Sequence, residues 1–180
     1  ALYIIAHCAD TRWTWHSSIT SHKAVIWAPC MLSKPVHLHH VAQTHCRYSS
    51  ERQKKLPGQL CRAAGKLREA LLTTGLLHAT LRPGMVAVDV GAAPGGWSNQ
   101  LASAGASLVV CIDPAEMDPA VLEHPCVVHL KLKCEEAVSS GRLAEALLVA
   151  GRDAIDLLVC DVNAHPANAA SMLQPVLPLV

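Results

Sequence analysis

The chain of 180 residues is 51% hydrophobic and 16% charged, which excludes a disordered polar tail and allows one domain-sized core. Aromatics are limited to four Trp and two Tyr, with no Phe, so that core has to be aliphatic. The net charge of +1 hides two opposed halves: residues 1–69 carry ten Lys or Arg against three acidic side chains, residues 70–180 five against eleven. A cationic front half on an anionic back half is the pattern of a polyanion-binding segment joined to a catalytic domain. No apolar run reaches ~18 residues, so no membrane span is predicted. The chain starts without Met and without a basic-then-apolar leader, and is therefore expected to be a piece of a longer protein.

Residues 1–58 have weak periodicity. Leu2–Ala6 and Ala24–Ala28 are short β-like runs separated by Ser, Thr, His and Pro, and no fold is assigned to this part. It closes on Arg52, Lys54 and Lys55 and then on the breaker Pro57-Gly58, which places a boundary between a His-rich, basic segment (1–58) and a regular domain (59–180). From Leu60 the apolar residues Leu60, Ala63, Ala64, Leu67, Leu71 and Leu72 fall at helical spacing, predicting an amphipathic helix to about His78. Met85–Val90 is an apolar strand leading into the loop Gly91-Ala92-Ala93-Pro94-Gly95-Gly96, and a helix follows at about Trp97–Ala104. Leu108–Ile112, Val127–Leu130 and Ile155–Cys160 are three further strands. A helix over Glu135–Ala150, loosened at Gly141, and one beginning at Pro166 and running to about Leu177 complete the pattern. Near-continuous apolar strands alternating with helices predict an α/β fold with a parallel sheet covered on both faces.

Eight Cys occur with no C-x-x-C pair, and Cys111 and Cys160 end apolar strands. Buried single thiols suit a reducing, intracellular compartment better than a disulfide framework. Seven of the eleven His lie in residues 1–45, and His37, His39, His40 and His45 sit near Cys46. Without a closely spaced Cys pair, however, a zinc site is not expected, and no metal is assigned.

In an open α/β sheet ligands sit beyond the carboxyl ends of the strands. Three features fall there: the loop from Asp89, Asp113 after the second strand, and Asp161 after the fourth. The loop spacing, G-x-x-x-G-G, is neither that of the dinucleotide binders nor that of the P-loop. Its small residues allow close backbone approach to a ligand. Asp113 lies 22 positions beyond Gly91, where a carboxylate can accept from ribose hydroxyls, which suggests an adenosyl ligand.

The string Asp89-Val90-Gly91-Ala92-Ala93-Pro94-Gly95-Gly96-Trp97-Ser98 resembles the S-adenosylmethionine loop of the FtsJ-like (RrmJ/RlmM-type) ribose 2′-O-methyltransferases. Cys61-Arg62-Ala63-Ala64-Gly65-Lys66-Leu67-Arg68-Glu69-Ala70 is similar to that family's S-R-(A/S)-x-x-K-L-x-E-A helix. Cys160-Asp161-Val162-Asn163 resembles its C-D-M strand end, and Cys111–Pro119 its second strand end. The helix after Asp161 is most like the branch that methylates a cytidine ribose in large-subunit ribosomal RNA.

The resemblance covers about residues 52–180. It implies a Rossmann-like sheet with about four core parallel strands, incomplete because the family has about seven. It also implies S-adenosylmethionine as cofactor and RNA, most readily ribosomal RNA, as partner, with no membrane and no obligate protein partner. Asp89, Gly91, Ala92, Ala93, Pro94, Gly95, Gly96, Trp97, Asp113 and Pro114 are the implied cofactor residues. Lys66 and Asp161 match the first two members of the family's Lys-Asp-Lys-Glu tetrad, and the other two are expected beyond Val180. A ribose hydroxyl is a poor nucleophile at neutral pH and needs a neighbouring base or cation. Arg47, Arg52, Lys54, Lys55, Arg62 and Arg68 would follow the RNA backbone.

The alternatives are a methyltransferase with a non-RNA acceptor and a remnant that binds cofactor or RNA without chemistry. With its later strands missing, the 180-residue span alone is expected to have little activity and to leave the edge of its fourth strand open. The acidic residue often found after the third strand is replaced here by the basic run His129–Lys133, with Glu135 or Glu136 as candidate substitutes.

Overall fold

The computed structural model describes residues 3–7, 24–26, 67–68 and 81–180, except 163 and 165. Among the described residues six strands form one sheet: β1 (Tyr3–His7), β2 (Ala24–Ile26), β3 (Val86–Val90), β4 (Leu108–Ile112), β5 (Val127–Leu130) and β6 (Leu157–Cys160). Their order is β2-β1-β6-β3-β4-β5. The four central and right-hand strands, β6, β3, β4 and β5, are mutually parallel. Among residues 81–180 the helices are α1 (Gly96–Ser103), α2 (Pro119–Leu122), α3 (Cys134–Ser139), α4 (Arg142–Val149) and α5 (Pro166–Leu173), with a 3-10 turn at Leu177–Leu179. The expected α/β class with four parallel core strands is what the chain forms.

Every residue of β3, β4 and β6 is buried, which explains why these strands read as apolar runs without polar alternation. Side chains still alternate between the two faces. Val86, Val88, Val90, Val110, Ile112 and Leu158 join α3, α4 and α5 in one core. Ala87, Val109, Cys111, Leu157 and Val159 join Trp97, Leu101, Met117 and Val121 in the other. Each fully buried Leu, Ile or Val contributes roughly 1.5–3 kcal/mol relative to exposure, so the aliphatic core suffices without Phe. Leu67 is helical and fully buried in the second core, beside the exposed, helical Arg68. The remainder of the helix expected over 60–78 lies outside the described residues.

Three differences from the sequence reading have local causes. The helix expected over 135–150 is two helices, because Gly141 adopts φ +76 and starts the second as a left-handed cap. The fourth strand begins at Leu157 rather than Ile155: the Ile155 amide donates to Leu179 O (2.6 Å), tying it to the 3-10 turn. The edge of the fourth strand is not open. β1 pairs antiparallel with β6, from Ile4↔Cys160 to His7↔Leu157, and β2 pairs parallel with β1. The two β-like runs near the N-terminus thus extend the same sheet. No helix among the described residues is long and apolar enough to cross a membrane.

Candidate functional site

The chain runs outward from β3 to β4 and β5 on one side, then returns to place β6 on the other side of β3. A crevice opens where strand order reverses in this way, at the carboxyl ends of β3 and β6. It is lined by Asp89, Gly91, Ala92, Ala93, Pro94, Gly96, Trp97 and Asp161. The loop after β3 and the carboxylate after β6, far apart in sequence, therefore share one cleft.

Main-chain bonds carry the loop across the strand ends. The Gly91 amide donates to Ile112 O (2.9 Å), and the Asp161 amide to Val90 O (3.3 Å). Gly91 has φ +77, and a Cβ there would lie 2.7 Å from Val162 Cγ1. Gly95 has φ +112, and a Cβ there would lie 2.8 Å from Val121 Cγ2 and 2.9 Å from Met117 Cε. Both glycines are thus demanded by backbone conformation and by close packing of the chain on itself. The Asp118 amide donates to Pro94 O (2.9 Å), binding the segment after β4 to the loop.

Asp113 closes this construction. Its Oδ2 accepts from the Ala93 amide (3.1 Å) and its Oδ1 from the Ala115 amide (2.8 Å), so the carboxylate joins the loop to the end of β4. The His129 ring shares a hydrogen bond with Asp113 O (2.9 Å). Gly95, Asp113 and Pro114 do not line the cleft. Gly95 is buried under Met117 and Val121, while Pro114 is exposed in the loop after β4.

Asp89 is buried, 1% exposed, on the sheet face covered by α1. The Ser98 hydroxyl donates to its Oδ2 (2.6 Å), and the Cys111 thiol donates to Ser98 Oγ (3.1 Å). Burial pushes the Asp89 carboxyl up to about 7. The Asp161 and Asp113 charges push the same way, while bonds from the Ser98 side chain and backbone oppose them. Burial likewise pushes the Cys111 and Cys160 thiols up to about 12, so both stay neutral. All four described cysteines are free.

Not every expected site residue can be placed. Lys66, Arg47, Arg52, Lys54, Lys55 and Arg62 lie outside the described residues, as do His37, His39, His40, His45 and Cys46. Of the basic run after β5, Lys131 pairs with Glu116. Glu136 accepts from the Lys133 amide (3.1 Å) and so caps α3. Sequence reasoning passed over Ser98. It stood inside the quoted loop string, but only the packing of α1 over β3 and β4 reveals what it touches.

Residues 60–175 match the family model for the FtsJ-like methyltransferases. The chain belongs to this family. Among curated relatives, the FtsJ-like chain is similar to "Ribosomal RNA large subunit methyltransferase M" of Xylella fastidiosa (strain 9a5c). Identity is 37% over 125 residues, covering 68% of this chain and 32% of the relative. The protein of the same name from Cellvibrio japonicus is 39% identical over 93 residues, covering 52% of this chain and 23% of the relative. That from Methylococcus capsulatus is 34% identical over 113 residues, covering 62% and 28%. The chain spans about a third or less of the length of these curated relatives.

Proposed function

We propose that this chain carries the methyl-donor site of an enzyme that uses S-adenosylmethionine to methylate a ribose 2′-hydroxyl in RNA, with ribosomal RNA as the substrate. The observation carrying the reading is the charge of the cleft. Its lining includes two carboxylates, Asp89 and Asp161, and, among the described residues, no Lys or Arg. A dinucleotide's pyrophosphate would be repelled there, whereas a ligand with a sulfonium and an ammonium suits it. Membership of a methyltransferase family and relatives named for ribosomal RNA support the same conclusion.

In this reading the turn from Asp89 to Trp97 holds the donor, and Asp113, adjoining the cleft through its bond to Ala93, serves twice, bracing Ala93 and Ala115 while its remaining lone pairs accept from ribose hydroxyls of a donor that extends past the cleft wall. S-adenosylmethionine, when bound, supplies an electrophilic methyl group on sulfur. In-line placement of that methyl against a nucleophile at ~3 Å gives much of the acceleration. Lys66 stabilises the 2′-oxygen by charge, and Asp161, at the cleft wall, orients a neighbouring cationic group. Arg52, Lys54, Lys55, Arg62 and the exposed Arg68 follow the RNA backbone, making binding salt-dependent. Buried free thiols such as Cys111 and Cys160 fit a reducing compartment.

Calorimetry with S-adenosylmethionine and with NAD tests the donor site: binding of the first and not the second is expected, and equal binding overturns the assignment. For the acceptor, the gene is deleted and alkali-resistant linkages are mapped in large-subunit ribosomal RNA. Loss of one such linkage is expected, and an unchanged map removes the acceptor assignment.

A further inference from the structure

Asp89 and Cys111 are directly opposed in the β3–β4 register, and both side chains point to the face that α1 covers. Ser98, in the first turn of α1, sits over the pair. All three are buried, at 1%, 0% and 0% exposure for Asp89, Cys111 and Ser98, and Asp89 reaches the lining of the cleft. Each member has a defined direction. The Cys111 thiol donates to Ser98 Oγ, so the one proton of that hydroxyl is directed to Asp89 Oδ2. A thiol held neutral to about 12 keeps this polarity at every physiological pH.

From this geometry we infer that Ser98, oriented by Cys111, is a positioning residue that favours the carboxylate form of Asp89 beneath the cleft. The cleft then binds a cationic ligand more tightly near neutral pH while the hydroxyl relay is intact. The inference rests on the donor site proposed above. The charged groups acting on Asp89 from neighbouring elements are Asp161 at the end of β6 and Asp113 at the end of β4, and both favour the neutral acid. Ser98 is the group that opposes them, through its hydroxyl and its amide. Removing the hydroxyl removes the stronger of the two bonds and leaves the amide. A hydrogen bond to a charged group is strong enough for its loss to raise the Asp89 midpoint by about one pH unit.

The test has two arms. In the first, the carbon-13 resonance of the Asp89 carboxyl is titrated without ligand. Ser98→Ala should raise its midpoint by about one pH unit, Cys111→Ala should raise it by less, and Ser98→Thr, which restores a hydroxyl, should bring it back. Unchanged midpoints in both Ala variants overturn the inference, and the Cys111→Ala and Ser98→Thr variants decide it should Ser98→Ala fold poorly. In the second arm, S-adenosylmethionine affinity is measured from pH 6 to 8.5. Ser98→Ala should weaken binding several-fold near pH 7 and recover toward pH 8.5, as the raised carboxyl ionises again. A loss that is equal at every pH is a packing effect and overturns the inference. If the unsubstituted protein binds no S-adenosylmethionine at any pH, the donor site itself is overturned, while a shifted Asp89 midpoint still establishes the relay.

Discussion

The two ends of the sheet handle their carboxylates in opposite ways. At the amino ends, just before β6, Asp156 accepts from the Val86 amide (2.7 Å), from Arg82 (3.0 Å) and from Arg152 (2.8 Å). Two guanidiniums and an amide satisfy it, and it staples β6 to the start of β3. At the carboxyl ends, Asp89 is held by a hydroxyl and an amide from Ser98 while two further carboxylates repel it. Under the proposed function, the difference separates stability from ligand binding. A carboxylate matched with cations consolidates the fold, whereas one kept near like charges stores unfavourable potential that a cationic ligand relieves.

The contrast can be broken most strongly at Asp89. In the unfolded chain its proton leaves near 3.8, and in the folded chain it is held to about 7. The native state therefore binds more protons than the unfolded state between those values. The resulting stabilisation is full below about pH 4 and is lost as pH rises through 7, on the order of 4 kcal/mol in all. Asp89→Asn cannot titrate, so urea unfolding at pH 5 and pH 7.5 should show this share of the slope removed. Parallel slopes in the two proteins would refute the assignment.

Asp156→Ala should act in the reverse sense. It leaves two partly exposed guanidiniums and the Val86 amide without their acceptor and should cost about 1–2 kcal/mol in unfolding free energy. Donor affinity measured by calorimetry should stay within twofold, and a large affinity loss would erase the distinction between the ends. Asp113→Ala lies between these cases. It releases the Ala93 and Ala115 amides, with an expected cost of about 1–2 kcal/mol in stability and roughly tenfold in donor affinity. Finally, Lys131→Ala removes a partner of the fully exposed Glu116 and should leave the melting temperature unchanged within error. A clear drop would show that the basic run after β5 supports the site.

Much of the fold was legible because the core strands are buried on both faces. Polar alternation was not needed to find them: Leu108–Ile112 was bounded by its own apolar content and matches the observed strand, while the partly exposed edge strand Val127–Leu130 was bounded in the same way. The convergence of the β3 loop with Asp161 followed from the rule that ligands gather at strand ends, and the register of β3 against β6 realises it. What escaped was set by partners distant in sequence. The closing of the β6 edge by β1 depends on residues 3–7 meeting residues 157–160, and no local pattern encodes that pairing. Asp156 looked like a strand residue, yet it works as an anchor for Val86 across 70 positions.

Short-range chemistry, then, is what the amino-acid order determined unaided. Apolar runs must be buried, glycines at Gly91 and Gly95 permit left-handed turns, and the family string places carboxylates after the strands. Tertiary structure alone decided which groups those carboxylates meet: a hydroxyl backed by a thiol for Asp89, backbone amides for Asp113, guanidiniums for Asp156. The physical reason is that ionisation depends on distance, burial and neighbouring charge, and these exist only after strands far apart in the chain have been brought side by side.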